Sequence, residues 1–290
     1  MSLYESGHST GEVSLADLLA GAVPNATPAT LTVTDLIERT VIGGWPETLG
    51  WSERDARRWM QHYVDNIAEV DIPALGPRRN PGNIRRLLAS MSRAVGTPLN
   101  RSALEREVGG DNGPVSSETL NHYLTALSRL MLVEALPAWR PHMRSRTQLR
   151  TSAVHHFVDP AIGAAALRVG SNELLKDLEA AGFHFESLVV RDLRVYSQML
   201  GASLSSWRNT KSNKEVDVII ELPDGTWAAV EIKLGEGATD AAAESLLHFA
   251  SKVDIEKQGK PTALIVINGG RFSYRRPDGV AVVPISVLGP

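Results

Sequence analysis

The stretch that most constrains this chain runs from Glu215 to Lys233 and reads EVDVIIELPDGTWAAVEIK. Two β-rich runs flank the turn formers Pro223, Asp224 and Gly225. Pro at the first loop position and Gly at the last suit a three-residue hairpin loop, a type I turn closed by a left-handed residue. Such a loop pairs Leu222 with Thr226, and counting outward sets Asp217 opposite Glu231. Directly opposed residues share a face, with Cβ atoms roughly 4.5–5.5 Å apart. Lys233, two residues beyond Glu231, lies on the same face. Val216, Val218, Ile220, Leu222, Val230, Ile232 and Leu234 fall on the other face, which is expected to be core. Two carboxylates and a lysine are thus expected to converge beside an apolar sheet.

Like charges that close repel unless a cation joins them. A hard divalent ion such as Mg²⁺, or Mn²⁺ in its place, prefers oxygen ligands and tolerates few protein carboxylates. The plainer alternative is an exposed strand face with a salt bridge. The pattern D-x13-E-x-K, here Asp217, Glu231 and Lys233, resembles the PD-(D/E)xK nuclease-like superfamily. The resemblance implies that Asp217 and Glu231 hold a metal, helped by the Ile232 carbonyl. It implies too that Lys233 activates or positions the attacking water.

A chain of 290 residues is long enough for two or three domains with a sizeable core. No apolar run reaches the length needed to span a bilayer. The opening MSLYESGHSTGE has neither a basic region nor an apolar stretch, so it is not expected to be a signal peptide. With no cysteine, disulfides and thiolate metal sites are excluded, and a cytoplasmic home fits. Formal charge is uneven: −7 over residues 1–77, +7 over 78–150, where every basic residue is Arg, and −3 over 151–290. This asymmetry suggests three units with a basic middle that could meet an acidic partner.

Residues 1–77 read as a helical segment, loose over 1–30. Ser14 caps SLADLLAG, stopped at Gly21, and Thr34 caps TDLIERTVIG. Ser52 begins a long helix with Trp59, Tyr63, Ile67 and Val70 at helical spacing, ended by Pro73 and Pro77. Residues 78–158 read as three helices and a β-wing, the order of a winged helix. The helices open at Pro81, at Arg101 and at Ser116 or Ser117. The strand LVEALPAW leads to a tip carrying Arg140, Arg144, Arg146 and Arg150, and a second strand returns through 153–158. Those four arginines are candidate phosphate contacts for nucleic acid. The exposed face of the third helix (Asn121, His122, Thr125, Ser128, Arg129) is not strongly basic, so the wing equally suits a packing module.

Residues 159–290 read as helices over 172–200 broken near Gly182, a strand, the hairpin, a helix and two more strands. This α-β-β-β-α-β order is that of the PD-(D/E)xK restriction-endonuclease-like core, in a chain of mixed α+β and α/β class. In that fold the first helix often supplies a further acidic ligand, and Glu186 takes that place. His155 and His156 are expected to point to opposite faces of a strand, and His184 and His248 stand alone.

The segments MSLYES, GGWPE (43–47), NIAEVDI, FVDPAIG (157–163), GFHFESLVV (182–190) and EVDVII…VEIK also resemble a domain of unknown function that follows the ATPase core in many prokaryotic AAA-type ATPases. The resemblance covers nearly the whole chain. It implies a missing ATPase core, with residues 1–77 built to pack on it and an apolar patch around Trp45, Trp51 and Trp59 that favours homo-oligomers in its absence. No G-x-x-x-x-G-K-[ST] loop occurs, so AAA-type ATP binding and hydrolysis are not expected of this chain alone. Two functions remain open: a metal-dependent nuclease, or a non-catalytic docking or nucleic-acid-binding module.

Overall fold

A computed structural model describes residues 1–76, 80–139, 153–209 and 214–290. Their contacts group into two compact units, each discontinuous in sequence: Met1–Leu36, Leu136–Ala153 and Leu188–Pro290 form the first, and Ile37–Ala135 with Val154–Ser187 the second. This division cuts across the three stretches marked off by charge.

The first unit is built on a mixed six-stranded sheet. Its strands are β4 (Ser203–Asn209), β5 (Lys214–Glu221), β6 (Trp227–Lys233), β7 (Ala263–Asn268), β8 (Tyr274–Arg275) and β9 (Ala281–Pro284), in spatial order β4-β5-β6-β7-β9-β8. The pairs β4–β5, β5–β6 and β8–β9 are antiparallel, whereas β6–β7 and β7–β9 are parallel. The hairpin loop has the expected form: Leu222 N–H donates to the Thr226 carbonyl at 2.9 Å, and Gly225 is left-handed at φ 83°. Only a residue without Cβ occupies that conformation at no steric cost. Register follows from the loop, with Val218 opposite Val230 and Ile220 opposite Ala228.

Both faces of this sheet are covered, which corrects the expectation of one core face. Val218, Ile220, Val230 and Ile265 are buried on the anticipated side, whereas Leu222 and Leu234 are only half-buried. The other face carries Ile219, Trp227, Ala229, Val266 and Val282. It packs under Ala242, Ala243, Leu246 and Phe249 of the helix Thr239–Ala250. Trp139 joins it, with ring centroids 4.9 Å from Trp227 and 5.9 Å from Phe249. The anticipated strand LVEALPAW is accordingly split. Val133–Leu136 (β2) belongs to a two-stranded sheet with Val154–Phe157 (β3). Trp139 N–H instead donates to the Ser206 carbonyl at 2.7 Å, on the edge of the large sheet.

Residues 1–30 are not loose. Ser2 and Leu3 are buried, Leu3 N–H donates to Asp192 Oδ2 at 2.9 Å, and Val13–Ser14 (β1) pairs in parallel with Leu288–Gly289 (β10). Ser14 does cap the helix α1, Leu15–Leu19. The next helix, α2 (Val33–Ile42), is capped by Thr32 rather than Thr34: Asp35 N–H donates to Thr32 Oγ1 while Thr32 N–H donates to Asp35 Oδ2 at 2.8 Å. Both sequences carry Thr with an acid downstream, but only Thr32 has Asp at the third helical position, where the two reciprocate.

The second unit is helical. Helix α3 (Glu53–Asn66), capped by Ser52, runs into a π turn over Ile67–Asp71 and one α turn, Ile72–Ala74. Helices α4 (Pro81–Arg93), α5 (Arg101–Gly109) and α6 (Ser117–Arg129, capped by Ser116) follow, then β2, β3 and α7 (Pro160–Leu167). Met60, Val64, Ile67, Leu87, Leu88, Leu127 and Ile162 meet in one core, so the long helix shares it with the helices that follow. The extra residue of a π turn rotates the stripe; Val70, expected inside, is exposed. Trp45, Trp59 and Tyr63 are not an open patch. They pack together with centroids 5.1–5.7 Å apart against the core, Trp59 stacked on Tyr63 and Trp45 tilted to both, and of these aromatic residues only Trp51 is exposed.

A short helix α8 (Ser171–Lys176) ends at Asp177, and α9 (Leu178–Met199) then runs unbroken through Gly182. The expected break there is absent because Asp177 supplies the cap, accepting from Ala180 N–H at 3.1 Å, and one helical Gly costs only about 1 kcal/mol. Among the described residues no helix is long and apolar enough to cross a membrane.

Candidate functional site

The hairpin register, continued one step past Val218 and Val230, brings Asp217 to Glu231. Beyond them the ladder gives way to side-chain contacts. Ile232 N–H donates to Asp217 Oδ2 at 2.7 Å. Lys233 Nζ donates to Glu231 Oε2 at 2.9 Å and lies 3.7 Å from Asp217 Oδ2. The three expected residues therefore meet at the end of β6. Their side chains are 9% (Asp217), 4% (Glu231) and 33% (Lys233) exposed, so the amine faces outward and the acids lie beneath it.

Burial dominates the electrostatics. The Glu231 carboxyl is pushed from 4.5 up to about 8, first by burial and then by the negative Asp217, against the pull of Lys233. A carboxyl so raised holds its proton near neutral pH.

Two polar residues missed by sequence reasoning border this cluster. Parallel pairing sets Asn268 beside Lys233. Its Nδ2 donates to Thr239 Oγ1 at 3.2 Å, and its Oδ1 accepts from Gly270 N–H at 3.0 Å. These bonds pin the end of β7 to the start of the helix Thr239–Ala250. The polar end of the apolar run ALIVIN, just before Gly269-Gly270, was the available signal.

Glu186 sits in the second unit. Its Oε1 would lie 3.0 Å from a Cβ at Gly96, and it is 3.7 Å from His156 Nε2. Burial holds His156 down at about 3, so the imidazole is neutral; its Nδ1 lies 2.9 Å from Ser187 Oγ. The lone His184 is buried too and is held down at about 4. Among the described residues no group of three or more His, Cys, Asp or Glu is gathered as a metal cage. The structure thus brings together Asp217, Glu231 and Lys233 within the first unit, and Glu186 belongs to the second. Arg140, Arg144, Arg146 and Arg150 lie outside the described residues.

Residues 181–288 match a domain of unknown function, DUF4143. That domain is commonly found at the C-termini of AAA-type ATPases. Glu186, Asp217, Glu231 and Lys233 all fall inside the match. Residues 33–173 match a second domain of unknown function, DUF8612. No curated protein matches the chain.

The donor chemistry at the strand end suits a hard cation. Asp217 and Glu231 offer carboxylate oxygens. N–H and C=O of one strand residue point to the same neighbour, so the Ile232 carbonyl faces the side on which its N–H meets Asp217.

Proposed function

We propose that Asp217, Glu231 and Lys233 form the centre of a Mg²⁺- or Mn²⁺-dependent phosphodiesterase acting on DNA or RNA, in a cytoplasmic chain that works with an AAA-type ATPase core. The carrying observation is the convergence of two buried carboxyls and an amine on one strand end. Asp217, Glu231 and the Ile232 carbonyl would hold the metal, which when bound would lower the pKa of a water and offset phosphate charge. Deprotonated Glu231 and Asp217 supply the negative charge. Lys233, the most open of the three, donates to a water or a phosphate oxygen. The element order of α9, β4–β6, the helix Thr239–Ala250 and β7 supports reading this unit as a PD-(D/E)xK core. The order of α4–α6 with β2 and β3 supports a winged-helix reading of residues 81–157.

Calorimetric titration of Mn²⁺ into the wild-type chain and Glu231→Gln, with cleavage of plasmid and RNA by both, tests the proposal. Binding and cleavage by the wild type, both lost in the variant, are expected. No binding at about 1 mM metal, or cleavage untouched by the substitution, would sink it.

A second reading, a docking module that does no chemistry, is favoured by one observation. Residues 151–290 carry a net −3, which repels a polyanion. A folded wild type that ignores metal in the same titration would support this reading.

A further inference from the structure

In the second unit, helix α3 and the end of α7 enclose a cleft of about 700 Å³. That volume lies in the range of roughly 300–1,000 Å³ typical of small-molecule sites. Its floor is apolar and low, formed by Val41, Met60, Ala161, Ala164 and Ala165. Four arginines line it: Arg54, Arg57 and Arg58 from α3, and Arg168 from the residue that ends α7.

The two acids of the lining are already engaged. Glu53 accepts from Ser171 N–H at 3.0 Å and lies 3.7 Å from Arg57. Asp65 accepts from Arg85 Nε at 3.0 Å. Among the described residues Arg54, Arg58 and Arg168 form no salt bridge. The cleft is therefore cationic in excess, and its local structure works against that excess. Arg54, Arg57 and Arg58 stand at three- and four-residue spacing on one helix face, where like charges repel. Arg54 also sits in its first turn, where the helix dipole disfavours cations. Arg168 adopts the left-handed conformation at φ 59° and ψ 32°, a helix-ending position that favours Gly or Asn. An anion between the two elements would relieve the two electrostatic costs at once, and the left-handed turn at Arg168 is a strain held at the edge of the same cleft.

We propose that this cleft binds a small phosphate-bearing molecule, with one or two phosphates between the arginines and an apolar body on the alanine floor. Guanidinium groups present paired donors that match phosphate oxygens. Recognition here would use side chains, so the missing Gly-rich phosphate loop does not bear on it. This inference is independent of the chemistry at Glu231.

Inorganic pyrophosphate is the probe, titrated calorimetrically into the full chain at low salt. A dissociation constant of about 0.1 mM or tighter is expected, weakening as salt screens the exposed arginines. Arg58→Ala and Arg168→Gly should each weaken binding about tenfold. Arg168→Gly is the informative variant, because Gly suits the left-handed position and thermal stability should hold or rise as affinity falls. Absence of pyrophosphate binding would overturn the proposal. So would binding unchanged in both variants. A single-stranded oligonucleotide that displaces pyrophosphate would assign the phosphates to a nucleic-acid backbone and refute the small-molecule site.

Discussion

Glu231→Gln should make the sheet unit more stable and remove the part of its pH dependence that Glu231 causes. The folded carboxyl keeps its proton up to about pH 8, whereas an unfolded one releases it at 4.5. Stability from this group is therefore full below about pH 4.5 and falls as pH rises to about 8. At about 1.4 kcal/mol per tenfold change in proton affinity, the whole span is at most about 5 kcal/mol, and about 3 kcal/mol of it is spent by pH 7. Water at the one-third-exposed Lys233 screens part of this, leaving about 2–3 kcal/mol to be measured. Glutamine keeps the shape, donates to Asp217 through its amide nitrogen and accepts from Lys233 through its oxygen. With no charge to bury, it avoids the cost. Because the chain has two units, the readout should be local: hydrogen exchange of the β5 and β6 amides in wild type and variant, from pH 5 to 8.5 in about half-unit steps. The two should coincide near pH 5 and diverge upward, the variant the more protected. A variant equal to or weaker than wild type at pH 8, with parallel curves, would show that Glu231 is not held protonated. If the metal proposal also holds, saturating Mn²⁺ protects the wild type and leaves the variant unchanged.

Two further substitutions test the fold that positions the site. Gly225→Ala meets no atom within 4 Å but must hold φ 83°, so urea denaturation should show a loss of about 1–2 kcal/mol, with Gly225→Asn losing less. Asp159→Ala removes acceptors from Ala161 N–H at 3.0 Å and Gly44 N–H at 2.8 Å, both buried; thermal denaturation should report about 2–3 kcal/mol, partly restored by Asp159→Asn.

The hairpin was legible because everything it needed was local. Pro223 and Gly225 fix the loop, the loop fixes the register, and period-two alternation fixes which side chains meet. Helices α4 and α6 were legible for the same reason, through Pro81 at the first helical position, Ser116 as a cap and a 3.6-residue stripe. The misses share a different cause. The burial of MSLYES depends on Asp192, far away in the chain, accepting from Leu3 N–H. The split of LVEALPAW depends on Ser206, which draws Trp139 to the large sheet. The burial of the acidic face depends on Phe249 and Trp139 closing over Trp227. Pairings of such sequence separation leave no periodic trace. Glu186 shows the limit from the other side: element order suggested its role, but two of its neighbours, Gly96 and His156, come from segments that order says nothing about.

Where the cluster sits decides how its cost should be read. β6, β7 and β9 run parallel, and Lys233, Asn268 and Pro284 lie level at their carboxyl ends. Ligands of open α/β sheets gather outside that edge, where strands have spent their hydrogen bonds and helices begin. Two buried carboxyls and an amine in the middle of the ladder would be a packing defect, better replaced by apolar side chains. At the strand end Ile232 N–H meets a side chain rather than a strand, Lys233 opens toward water, and the Asn268–Thr239 bond holds the neighbouring strand to its helix. The charge is thus buried deeply enough to perturb Glu231 but lies one residue from solvent, so the cation that would neutralise it need not cross the core. If the metal proposal holds, that arrangement would let the cation exchange with solvent in place of the Lys233 ion pair.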